Sequence, residues 1–79
     1  MRPVDWDELV KLCESQGCVH DRTKGDHIVM VRQGMARPVV FPKKRGLTED
    51  IVLSVARTLG ISKKELLEQL GNKRQKKKH

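Results

Sequence analysis

Trp6, Leu9, Val10 and Cys13 recur at i, i+3, i+4 and i+7 behind Asp5, a good N-cap. That spacing predicts an amphipathic helix ending near Gln16, with Gly17 as its left-handed stop. From Cys18 the period shortens to two. Cys18 to Thr23 reads as a weakly marked strand, the glycine of Lys24-Gly25-Asp26 marks a tight turn, and His27 to Arg32 alternates clearly. In that second strand His27, Val29 and Val31 share one face, while Ile28, Met30 and Arg32 share the other. Gln33-Gly34-Met35-Ala36 is a hairpin-type connection to a third strand, Arg37 to Phe41, which Pro42 ends. Pro38 cannot donate to a ladder, so this strand is expected at an edge.

After the basic loop Lys43-Lys44-Arg45-Gly46 the helical period returns. Thr48 is the expected cap of a helix with Glu49 and Asp50 in its first turn, Ile51, Val52, Val55, Ala56 and Leu59 on its buried face, and Gly60 as its stop. Ser62 with Glu65 makes a capping box, and Ile61 and Leu66 stand where a hydrophobic staple would be. These open a short third helix from Lys63 to about Leu70, closed by Gly71. Asn72 to His79 has no apolar residue to dock it and is expected to be a disordered basic tail. The pattern therefore predicts one α+β domain over residues 1–71, a three-stranded antiparallel meander covered on one face by helices, with 72–79 as a tail.

At 79 residues there is no room for a deep cleft, so any site must be shallow and suited to a ligand that is large outside the protein. The formal charge of +7 points to an anionic partner, and its distribution sharpens the point. The tail holds five of the 17 Lys and Arg, which leaves 12 bases against 10 acids in the body. Within the body, Arg22, Lys24, Arg32, Arg37, Lys43, Lys44 and Arg45 face the single acid Asp26 over the stretch 22–45. Positive charge is thus concentrated on the strands and the loop after them. Cys13 and Cys18 lack the further Cys or His pairs of a zinc site, so reduced thiols, no metal and no cofactor are expected. No signal peptide, lipidation motif or membrane-length apolar run argues for export or a bilayer, and a cytoplasmic chain is the expectation.

The order helix, three strands, helix, small helix, with glycine, acid and histidine entering the second strand, resembles the HicA (YcfA-like) toxins, small RNA-cleaving proteins of toxin–antitoxin pairs. The pieces that carry the resemblance are the opening helix ending in Gly17, Arg22-Thr23-Lys24-Gly25-Asp26-His27, Arg37-Pro38-Val39-Val40-Phe41-Pro42, and Leu59-Gly60-Ile61-Ser62. The resemblance implies a fold like a double-stranded-RNA-binding domain, cleavage of messenger RNA without a metal or the ribosome, and neutralisation by a HicB-type antitoxin that covers the site. It places the family's catalytic histidine on His27. Many members have serine where this chain has Asp26, and many carry a second histidine after the third-strand proline where this chain has Lys44.

RNA is cleaved by its own 2′-hydroxyl if one group removes that proton and cations stabilise the more negative phosphorane. An imidazole, with an ordinary pKa of about 6.5, is mostly basic at neutral pH and suits the first task. His27 is then the general base, and Arg22, Lys24, Arg37, Lys43 and Lys44 are the candidate phosphate contacts. Gly25 either lets a phosphate approach the turn or supplies a positive φ. Asp26 either points to the opposite sheet face or curls back to orient the ring; the sequence leaves both open. The residues alone also leave His27 as a plain histidine at a strand entrance, and the resemblance selects the catalytic reading. No residue offers an obvious general acid. Trp6 and Phe41 sit in core-like patterns, so base stacking is absent and recognition should rest on phosphates and shape. His20 reads as a surface residue, and the free chain is expected to be a monomer. Two other readings remain: a non-catalytic RNA-binding module of the same fold, and a helix-turn-helix DNA-binding protein built on Ala56 to Ser62. Glu65 and Glu68 oppose the second, because they would face a polyanion.

Overall fold

The structure, a computed structural model, describes residues 3–76, from 71 onward as backbone only. In chain order the elements are α1 (Trp6–Ser15), β1 (Val19–Lys24), β2 (His27–Val31), β3 (Val39–Pro42), α2 (Glu49–Leu59) and α3 (Lys63–Lys76). The strands form one antiparallel sheet in the order β1-β2-β3. This is the α+β, α-β-β-β-α layout that the patterning predicts.

The period-two face of β2 carrying Ile28 and Met30 turns inward, joined by Val39 and Phe41 of β3. Against it the helices bring Leu9 and Cys13, Val52 and Val55, and Leu66, in each case from the apolar stripe. No buried side chain in this core is polar or charged among the described residues. Every residue of β1 is exposed, so that strand overhangs the layer beneath β2 and β3. An open edge of this kind invites pairing with other chains, and β1 blunts it with charged residues and with an irregularity at Asp21.

That irregularity is a bulge between the pairs His20↔Met30 and Arg22↔Val29. It inserts one residue and reverses the alternation, so His20 falls on the core side of the sheet while Arg22 and Lys24 fall on the side of His27 and Val29. Nothing in the sequence marks it.

Element ends follow the punctuation closely. Gly17 and Gly60 are both left-handed, at φ 89° and 79°, one residue beyond the Gln16 cap of α1 and at the cap of α2. Thr48 holds the extended N-cap conformation of α2, but its hydroxyl makes no capping hydrogen bond. Ser62 accepts from the Glu65 N–H at 3.1 Å, while Leu66 is fully buried and Ile61 packs against the core beside it. Pro38 precedes β3 rather than interrupting it, and β3 is an edge strand, as a proline there requires.

The third helix departs from expectation. It continues through Gly71 to Lys76 instead of stopping at Gly71. One internal glycine costs a helix only about 1 kcal/mol, and the lysines, arginine and glutamine that follow are good helix formers. The helix therefore takes in the start of the segment expected to be a disordered tail, and residues 77–79 lie outside the described residues. No helix among the described residues is long and apolar enough to cross a membrane.

Candidate functional site

The β1–β2 connection is a two-residue hairpin: Lys24 pairs with His27, and Gly25 and Asp26 form the turn. Gly25 has φ 62° and Asp26 has no positive φ, the pattern of a II′ turn with glycine in its first central position. A Cβ on Gly25 would meet no atom within 4 Å. The glycine is there for its backbone angle, and the space above it is open.

Asp26 curls back. Its Oδ1 lies 3.0 Å from His27 Nδ1, which decides between the two placements the sequence leaves open. Facing a carboxylate, Nδ1 carries the proton and Nε2 is left as the acceptor, the arrangement a general base needs. The His27 side chain is 50% exposed and that of Asp26 64%, so the pair orients the ring more than it stabilises the fold. The turn itself is anchored from β3, because the Lys43 N–H donates to the Asp26 carbonyl at 2.6 Å.

This bond brings the basic loop beside the histidine. The loop is further fixed by the N-terminal segment: Trp6 N–H donates to the Lys44 carbonyl at 3.1 Å, and Val4 and Leu47 exchange backbone hydrogen bonds. The Asp5 carboxylate accepts from the Gly46 N–H at 2.9 Å and from Arg45 Nη1 at 3.1 Å. Lys43 lies over the Trp6 ring, 5.0 Å from its centroid, so its ammonium already has a structural partner. Among the described residues, Lys24 and Lys44 pair with no carboxylate, whereas Arg22 is held by Asp21 at 2.8 Å.

The structure therefore gathers His27, Lys24, Gly25, Lys43 and Lys44 at one end of the sheet, with Arg22 on the same face two pairs along. Arg37 stands apart, in the segment before β3. On its α2 side His27 opens into a shallow pocket of about 260 Å³, shared with Val40, Pro42, Asp50, Ile51 and Ser54. The helix patterning assigns Asp50 to the dipole at the N-terminus of α2; only the tertiary fold sets it in the histidine's pocket. Arg32, a member of the basic stretch, is not part of the site. Its guanidinium donates to the carbonyls of Gln16, at 2.8 Å, and Leu59, at 3.3 Å, and so ties together the C-terminal ends of α1 and α2.

Fold and site define a small α+β domain whose sheet presents, at one end, a carboxylate-oriented histidine beside Lys24 and a basic loop. The family model described as HicA toxin of bacterial toxin-antitoxin matches residues 6–61, and the chain belongs to the HicA toxin family. No curated protein and no solved structure matches it.

Proposed function

We propose that this chain is the ribonuclease toxin of a toxin–antitoxin pair, cleaving messenger RNA in the cytoplasm with His27 as general base, without a metal, and neutralised by a HicB-type antitoxin. The observation that carries the reading is the Nδ1 contact to Asp26, which leaves Nε2 of an accessible histidine free to take a proton. Nε2 removes the 2′-hydroxyl proton of a bound nucleotide, and the resulting oxyanion attacks the adjacent phosphorus. The 5′-oxygen leaves with a proton from solvent water, so one fragment begins with a 5′-hydroxyl and the other ends in a 2′,3′-cyclic phosphate. Lys24, beside His27 across the strand pair, and Lys44 offset the charge that builds on the phosphorane. Asp50 on the α2 side disfavours a phosphate there, so the scissile phosphate sits toward Lys24 and the loop. With no group assigned to protonate the leaving oxygen, turnover is slow.

The test uses purified protein and an RNA oligonucleotide. The wild type is expected to yield cyclic-phosphate ends, and both a 2′-deoxy substitution at the cleaved nucleotide and His27→Ala should abolish them while circular dichroism stays unchanged. Cleavage that survives in His27→Ala removes the histidine from the mechanism.

A further inference from the structure

A second pocket lies farther along α2, about 420 Å³ in volume and lined by Ala36, Arg37, Ser54, Arg57 and Thr58. Arg37 comes from the segment between β2 and β3, and Arg57 from the last turn of α2. Two arginines thus line one concavity with no carboxylate in its lining, and neither is paired among the described residues. Bringing like charges together without a counter-charge is unfavourable until an anion arrives. The hydroxyls add selectivity. Thr58 donates its proton to the Ser54 carbonyl at 3.1 Å, while the Ser54 hydroxyl has no partner among the described residues and is free to donate. Planar, forked guanidinium donors beside a hydroxyl match the oxygens of a phosphate.

Ser54 lines this pocket and the His27 pocket alike, so the two adjoin. From Asp50, on the near side of the His27 pocket, to Thr58 the helix rises about 12 Å, so a strand reaching from the scissile phosphate beyond His27 to this pocket spans at least three to four stacked nucleotides at ~3.4 Å each.

We propose that Arg37 and Arg57 form a phosphate subsite, assisted by Ser54, that grips the RNA strand a few nucleotides from the bond at His27. This rests on the ribonuclease reading above. It assigns Arg57 and Ser54 a binding role and separates Arg37 from the catalytic end. It also predicts that oligonucleotides too short to span both pockets bind weakly.

The experiment measures binding of a fully 2′-O-methylated single-stranded RNA of about ten nucleotides, which cannot be cleaved, as a function of salt. The proteins are the full chain, Arg37→Gln, Arg57→Gln and the double variant. Each single substitution should weaken binding severalfold. If both arginines hold one phosphate, the double variant should lower the salt slope by about 0.7, the value of a single contact on a single strand. A trinucleotide of the same chemistry should bind all four proteins alike. Unchanged affinity and slope in the double variant, with wild-type RNA binding intact, overturns the subsite alone. Unchanged RNA binding combined with lost binding of the cognate antitoxin overturns it in favour of a protein contact. No RNA binding by the wild type overturns the subsite and the ribonuclease reading together.

Discussion

Arg32 offers the most direct measure of what the tertiary structure adds to this sequence. Its two carbonyl partners belong to the C-terminal ends of α1 and α2, where backbone carbonyls have no intrahelical donor and the helix dipole favours a cation. A hydrogen bond to a charged group contributes ~1.5–3 kcal/mol, and the longer of these two falls below that range. Truncation by Arg32→Ala should therefore cost about 2–3 kcal/mol. A chain of this size has only ~4–12 kcal/mol in total, so the loss is a large fraction, and at ~4–8 °C per kcal/mol it lowers Tm by about 10–20 °C. Urea unfolding followed by circular dichroism reads the value. Arg32→Met separates the causes, because it keeps an apolar stem against Gly17 and removes the charge and the fork. If Arg32→Met is within about 0.5 kcal/mol of wild type, inside the range of ordinary surface changes, the two-helix clamp contributes nothing and the reasoning is wrong.

Other expectations follow from the site and the core. Asp26→Asn should leave stability unchanged and slow RNA cleavage by about tenfold, far less than loss of the carboxylate in a buried triad, because this pair is solvated; full wild-type activity would remove Asp26 from the orienting role. Gly25→Ala should cost ~1–2 kcal/mol through backbone strain alone, since nothing crowds the position, and Gly25→Asn should cost less; an equal cost for both would point to sterics instead. The Cys13 thiol is pushed up to about 12 from 9.0, first by burial and then by Cys18 beside it, and burial also raises Cys18. Native protein at about pH 8 should therefore resist alkylation until denaturant is added. Because the folded pKa of Cys13 lies above the unfolded value, its contribution is intact below 9.0 and is lost as pH rises toward 12. Over that window wild type should lose up to ~1.4 kcal/mol per pH unit relative to Cys13→Ala, measured by urea unfolding; parallel pH profiles would refute it.

Local chemistry fixed most of this fold. The 3.6 and 2.0 periods, the left-handed Gly17 and Gly60 and the Ser62 cap each act over a few residues, so helices, strands and their order were legible without coordinates. The same holds for the tight turn at Lys24-Gly25-Asp26 and for His27 as the residue that enters the central strand. The end of α3 was not legible in this way: Gly71 reads as a stop, yet the helix continues to Lys76.

What the sequence could not state was which distant groups would meet. The bulge at Asp21 decides which basic residues of β1 join the histidine, and it arises from a register that exists only once β1 lies against β2. Seven Lys and Arg over 22–45 look alike in one dimension. Folded, they divide into Lys24 and Lys44 at the histidine's end of the sheet, two arginines held by Asp21 and Asp5, one lysine over Trp6, one arginine that clamps two helix ends and one that lines a separate pocket with Arg57. A long charged side chain takes its role from the carbonyl, carboxylate or ring that comes within about 3–6 Å of it. Those partners are set by packing, not by position along the chain.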